Sequence, residues 1–80
     1  QRITALTVAA EGREQALQGH VEQACDTWGR SLDLLGGVRS ARAADEVAGM
    51  RRHLRSFEGR GVRAAAVLDE RARAWELAYG

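Results

Sequence analysis

Residues 19–34 read GHVEQACDTWGRSLDL, and this stretch decides the fold. Its apolar side chains recur at three- and four-residue steps, which is the spacing of one face of an α-helix. The positions on this face are Val21, Ala24, Trp28, Leu32 and Leu35. Gly19 precedes the run and Gly36 and Gly37 follow it, and glycine adopts the left-handed backbone that commonly ends helices. The stretch therefore predicts one helix with a turn on each side.

Two further segments carry the same helical spacing. The first has one apolar stripe, formed by Ala43, Val47, Met50, Leu54 and Phe57. The second follows a turn at Gly59 and Gly61, and its stripe consists of Ala64, Leu68, Ala72, Trp75 and Tyr79. Each stripe predicts a helix with one buried face.

The segment before Gly19 is different, because its apolar line is thin. Ile3, Leu6, Ala10 and Leu17 form this line, and Arg13 interrupts it. A parallel face consists of small residues only, namely Ala5, Ala9, Gly12 and Ala16. Small residues let a second helix backbone come close. Such a contact explains why Gly12 is present in mid-helix, where glycine destabilises a helix by about 1 kcal/mol relative to alanine.

Composition supports an all-α fold. The 80 residues include fifteen Ala and no Pro, and every one of the twelve basic residues is Arg, a bias typical of GC-rich bacterial genomes. Short glycine-containing turns predict two antiparallel hairpins, over about 2–36 and 39–79, within one domain at 1–80. A shift of 40 residues aligns the second helix with the fourth, which predicts a helical repeat. The first residue is Gln and not Met, which suggests an excerpt of a longer chain.

The stretch also carries a motif. Gly19, Ala24, Trp28, Ser31 and Leu32, with Gly12 in the preceding helix, resemble one tetratricopeptide repeat. The resemblance implies a short right-handed solenoid in which Gly12 and Ala24 lie where paired helices touch. Trp28 would then fill the gap toward the next hairpin. Leu32 and Trp75 lie on the apolar stripes, so we expect them to serve packing. The two tryptophans could stack on a ligand, but packing in the core or between hairpins is the favoured role. Glu11 and Gln15 depart from the motif, and its closing Pro is missing.

The region from Cys25 to Trp75 is similar to the C-terminal ends of actinobacterial transcriptional regulators. In those proteins an N-terminal helix-turn-helix domain precedes a tetratricopeptide-like region. The resemblance implies a module that binds a protein or peptide, or a second copy of itself, and contacts DNA only through a domain not present here. A self-association module with exposed Trp75 and Tyr79 is the alternative.

Patterns for catalysis are nearly absent from the sequence. Cys25 and His20 could pair as nucleophile and base, but no third residue orients the base. The sequence has no CxxC, HxxxH or phosphate-loop spacing. We therefore expect a protein that is not an enzyme and has no metal site and no cofactor.

Arginines are the best candidates for partner binding, because their guanidinium groups grip carboxylates and phosphates in a bidentate manner. Arg51, Arg52 and Arg55 cluster in the third helix, where contact with nucleic acid is a second alternative. Arg13 lies in the first helix, which by the resemblance lines a concave peptide groove. Pairing with nearby acids is the simpler interpretation: Asp45, Glu46 or Glu58 for the cluster, and Glu11 or Glu14 for Arg13.

Charge and cysteine content indicate the compartment. Net charge is +1, with the basic excess in residues 39–63. A single Cys excludes an internal disulfide and fits a reducing cytoplasm. The sequence has neither a membrane-spanning stretch nor a visible signal peptide, so we expect a cytoplasmic protein without membrane contact.

Overall fold

A computed structural model of the chain describes the backbone of residues 2–80 and the side chains from Thr4 onward. Four helices make up the fold, α1 (Arg2–Leu17), α2 (Val21–Leu35), α3 (Ala41–Glu58) and α4 (Arg63–Tyr79). The helices α1 and α2 pack as one hairpin, and α3 and α4 pack as the other. The predicted all-α class and the two helix hairpins are confirmed.

Glycines make the three turns between helices. Gly19, Gly37 and Gly61 have φ angles of +86°, +83° and +85°, in the left-handed region that favours glycine. The turn after α3 was predicted at Gly59 and Gly61, and only Gly61 takes this conformation, because Gly59 stays right-handed at φ −60°. Ser40 then caps α3, since its Oγ accepts a hydrogen bond from the Ala43 N–H at 3.1 Å.

In the first hairpin, the small-residue face of α1 packs against α2. Ala5, Ala9 and Gly12 are buried. The Trp28 Nε1–H donates to the Ala9 carbonyl at 3.3 Å, and the Ser31 hydroxyl donates to the Ala5 carbonyl at 3.3 Å. Such side chain–backbone bonds require α2 to lie close to the α1 backbone, as the small residues predicted.

The predicted apolar line of α1 is wrong at two positions. Leu17 is 69% exposed, and Ala10 is also exposed. The Ile3 side chain lies outside the described residues. The physical reason is that α1 docks through the face of Ala5, Ala9 and Gly12, which leaves Ala10 and Leu17 on a side turned away from α2.

The second hairpin is held by the predicted α3 stripe, whose five members are all buried. On α4 the predicted stripe needs one correction. Ala64 is exposed and Ala65 is fully buried in its place, beside Leu68, Ala72 and Trp75. Position 65 lies seven residues, about two full turns, before Ala72, so the side chains of Ala65 and Ala72 point in nearly the same direction.

The two hairpins pack side by side, with α1 against α3 and α2 against α4. The Trp75 Nε1–H donates to the Leu35 carbonyl at 3.0 Å, and Arg71 pairs with Asp33 at 2.6 Å. These partners are 40 and 38 residues apart. The helices α2 and α4 therefore lie next to each other, with contacting residues separated by about the 40-residue shift that aligns them in sequence.

Candidate functional site

A cleft of about 200 Å³ lies between α1 and α3. We call it the α1/α3 cleft, and its lining residues are Arg13, Trp28, Asp45, Glu46, Gly49, Met50, Arg52 and His53. Most of these side chains come from successive turns of α3, and Trp28 reaches the cleft from α2. The cleft thus forms where the first helices of the two hairpins meet.

The floor of the cleft is apolar. Trp28 and Met50 are buried, and the His53 ring lies over Trp28 with ring centroids 5.7 Å apart and a tilt of 33°. The indole can lie this deep because Gly12 has no side chain. A Cβ atom there would be 2.6 Å from the Trp28 Cδ1. The floor is therefore set by the contact between α1 and α2.

An ion pair spans the rim of the cleft. Arg13 Nη1 lies 3.3 Å from Glu46 Oε1, with side-chain exposures of 48% and 22%. The partner of Arg13 is thus on α3 and not on its own helix, where Glu11 and Glu14 were considered. This pair joins the two hairpins across the site, and its exposure means that it stabilises the fold only weakly.

Arg52 is the free cation of the cleft. Its side chain is exposed and has no ion pair within the described part of the chain. Its Nη2 atom lies 3.5 Å from the position that a Cβ of Gly49 would occupy. The guanidinium group therefore lies beside the glycine, where it can meet a ligand in the cleft.

Arg51 faces α4 instead of the cleft. Its Nε and Nη2 atoms bind both carboxylate oxygens of Asp69, at 2.8 and 3.3 Å, and Nη1 binds Glu76 at 2.9 Å. The Arg51 side chain is only 17% exposed. The hydrogen bonds from Arg51 hold the pKa of Asp69 below its usual value. A partner would have to break these contacts to bind Arg51.

Arg55 is exposed beside the carboxylates of Glu58 and Asp69. The Glu58 Oε2 atom is buried and has no hydrogen-bond partner. Removal from water raises the pKa of Glu58, and the neighbouring Asp69 adds to this effect. The four candidate arginines therefore do not form one site, since the cleft includes only Arg13 and Arg52.

Sequence reasoning missed the cleft residues of α3 other than Arg52. Asp45, Gly49 and His53 are spaced by four residues, which places them on one face of the helix. That spacing, read together with the groove position predicted for Arg13, was the signal that could have identified them. Their convergence with Trp28 depends on how the two hairpins pack, which no local pattern encodes.

The aromatic side chains near the end of α4 pack against the rest of the protein. Trp75 is only 6% exposed, so the exposed Trp75 expected for a self-association face is wrong. Its ring lies 5.6 Å from that of Tyr79, and Arg39 covers Tyr79 and donates to the Ala78 carbonyl at 3.1 Å. The indole packs in the hydrophobic core, and its N–H donates to the Leu35 carbonyl across the interface between the hairpins.

Cys25 and His20 lie in different surroundings. Cys25 is buried, and burial, with a smaller contribution from Glu22, raises the pKa of its thiol. A raised pKa lowers the reactive thiolate fraction. His20 is exposed in the turn before α2. Over residues 2–80, no group of three or more His, Cys, Asp or Glu is placed to hold a metal ion.

None of the helices in the described region is both long enough and apolar enough to cross a membrane. Comparisons of the chain with protein-family models, with curated proteins and with solved structures found no match.

Proposed function

We propose that the chain is a non-catalytic, tetratricopeptide-like recognition module of a bacterial transcriptional regulator, in which two hairpins stack as a short right-handed solenoid. Its α1/α3 cleft binds a protein or peptide partner. The observation that carries this proposal is the position of the cleft between the first helices of the two hairpins. The resemblance of residues 12–34 to a tetratricopeptide repeat supports the same surface, because the first helices of that family line the peptide groove.

The chemistry of the cleft favours a peptide carboxylate next to an apolar side chain. Arg52 offers an unpaired guanidinium group, which binds carboxylates in a bidentate manner. Arg13 can add a second contact if the carboxylate replaces Glu46, whose pair with Arg13 is exposed and weak. An apolar ligand group would pack over His53 and the Trp28 ring. A free peptide C-terminus or an acidic side chain provides this combination.

Binding in the cleft would also change how the two hairpins pack against each other. The Arg13–Glu46 pair joins α1 to α3 across the cleft, so a ligand that replaces Glu46 removes one contact between the hairpins. In a regulator, this change would pass to a DNA-binding domain attached to the module. The Arg-rich contact with nucleic acid is less favoured, because Asp69 and Glu76 already occupy Arg51.

Peptide binding with a matched pair of arginine variants tests the proposal. The probe is a pool of random-sequence peptides with free C-terminal carboxylates, captured on the immobilised 80-residue chain. We expect Arg52→Ala to reduce capture about tenfold, as for loss of one charged contact worth about 1.4 kcal/mol. Arg55→Ala removes a nearby exposed arginine outside the cleft and should leave capture unchanged. Equal loss in both variants, or no capture by the parent chain, would overturn the proposal.

A further inference from the structure

A second concave surface lies between α2 and α4, with a volume of about 680 Å³. We call it the α2/α4 groove. Its lining residues are Glu22, Cys25, Asp26, Gly29, Arg30, Asp33, Arg63, Ala64, Val67, Leu68 and Arg71. Val67 is 59% exposed there, although it is apolar. The groove shares no lining residue with the α1/α3 cleft.

The two helices that form the groove run in the same direction. Asp33 contacts Arg71 and, further along both helices, Leu35 contacts Trp75. Because these partners are 38 and 40 residues apart, a residue of α4 lies level with the α2 residue about 39 positions earlier. Arg63 is therefore level with the helical turn between Glu22 and Asp26.

The walls of the groove carry opposite charge at this level. Glu22 and Asp26 give the α2 wall a negative charge, and Arg63 gives the α4 wall a positive charge. None of these three side chains has an ion-pair partner within residues 2–80. Further along the groove, Val67 protrudes from α4 as an exposed apolar side chain. Gly29 on the α2 wall is covered by Arg71, whose Nη1 lies 3.4 Å from the position that a Cβ of the glycine would occupy.

We propose that a second copy of this chain covers the α2/α4 groove, related to the first by a twofold axis parallel to α2 and α4. Rotation about such an axis keeps each residue at its level and exchanges the two walls. It places Glu22 and Asp26 of one copy on Arg63 of the other. Val67 of each copy then packs against the α2 wall of its partner. A twofold axis perpendicular to the helices would instead place α4 on α4. Arg63 would then face a wall whose charged lining residues are Arg63 and Arg71, so like charges would repel.

A charge exchange across the groove tests this pairing. In the acidic variant, Arg63→Glu makes the charges at positions 22, 26 and 63 all negative. In the basic variant, Glu22→Arg and Asp26→Arg make the charges at these three positions all positive. The molar mass of the full 80-residue chain is measured by light scattering at low salt over a range of concentrations. We expect the parent chain to dimerise and each variant alone to dimerise about tenfold more weakly, because attraction becomes repulsion in both of the symmetric contacts between an α2 wall and the partner's α4 wall.

Mixing the two variants is the decisive step. An equimolar mixture pairs acidic walls with basic walls on both sides, so we expect dimers to return at about the parent affinity. Recovery also shows that each variant is folded, which a loss of dimer alone would not. A parent chain that stays monomeric at high concentration would overturn the proposal. So would variants that dimerise as well as the parent, or a mixture that does not recover.

Discussion

At the scale of single residues, the contact between Gly12 and Trp28 determines how closely α1 and α2 approach. The indole lies directly over the glycine and donates to the carbonyl of Ala9, so it bonds to the backbone of α1 itself. The same ring forms the floor of the α1/α3 cleft. One missing side chain therefore sets both the packing of the first hairpin and the depth of the candidate site.

Replacement of Gly12 by Ala tests this contact. The new Cβ would lie 2.6 Å from the Trp28 Cδ1 and 2.7 Å from its Nε1, and the buried ring has little room to move. Overpacking of this kind costs about 1–3 kcal/mol, and the better helix propensity of Ala returns about 1 kcal/mol. We expect Gly12→Ala to lower the free energy of unfolding by up to about 2 kcal/mol in urea denaturation.

The matched control is Gly49→Ala, also in the middle of a helix. Its new Cβ would meet only the end of the Arg52 side chain, at 3.5 Å. This variant should therefore gain up to about 1 kcal/mol of stability. If both variants are stabilised equally, Gly12 does not serve the close helix contact.

At the scale of helices, Arg51 connects the middle of α3 to two turns of α4. It binds Asp69 through two hydrogen bonds and Glu76 through a third, and the Arg51 and Asp69 side chains are 17% and 13% exposed. Partly buried, bidentate pairs resist screening more than exposed ones do. These contacts fix α4 in register with α3.

We expect Arg51→Ala to lower the free energy of unfolding by about 2 kcal/mol at pH 7, because the carboxylate of Asp69 loses its charged partner. The folded-state pKa of Asp69 is depressed. The pair therefore stabilises the fold fully above the unfolded pKa of about 4, and this contribution is lost as pH falls through the folded pKa. Urea denaturation at pH 7 and pH 3 should show the effect of the variant shrinking in acid.

Arg52→Ala is the control for that measurement, since the neighbouring side chain has no ion pair in the described chain and should change stability by less than about 0.5 kcal/mol. An effect of Arg51→Ala that is as large at pH 3 as at pH 7 would mean that the lost packing of the side chain, and not its charge, accounts for the change.

Glu58 gives the opposite dependence on pH. Its folded-state pKa is raised by burial, so ionisation of Glu58 disfavours the fold at any pH above its unfolded pKa of about 4. We expect Glu58→Gln to stabilise the chain at pH 7, and we expect this gain to disappear as pH falls below about 4. Thermal denaturation at both pH values measures it. A variant that destabilises the chain at pH 7 would contradict the raised pKa.

At the scale of the whole molecule, much of the fold could be predicted from local patterns. Apolar spacing gave the stripes of α2 and α3, and the glycines gave the turns. The Ala5–Gly12 face of α1 was identified because a row of small residues on a helix allows a second helix backbone to come close. Ala10, Leu17 and Ala64 were misplaced, because the way in which a neighbouring helix packs decides which side of a helix is covered.

The candidate site was less predictable, for a reason that belongs to the whole molecule. Arg51 and Arg52 are adjacent in sequence, and the direction of each depends on where α1 and α4 pack around α3. The first is bound by Asp69 and Glu76, and the second lies in the α1/α3 cleft. No spacing within α3 separates these two roles.

The most direct test of the recognition proposal uses the two tryptophans of the chain. Trp28 forms the floor of the cleft. Trp75 lies outside the cleft and is hydrogen-bonded to the Leu35 carbonyl. Each indole N–H gives its own signal in a two-dimensional ¹H–¹⁵N spectrum, recorded while the pool of peptides with free carboxylates is added. The proposal predicts that the Trp28 signal shifts in a saturable manner and that the Trp75 signal stays in place. A saturable shift of Trp75 alone, or of neither indole, would contradict it.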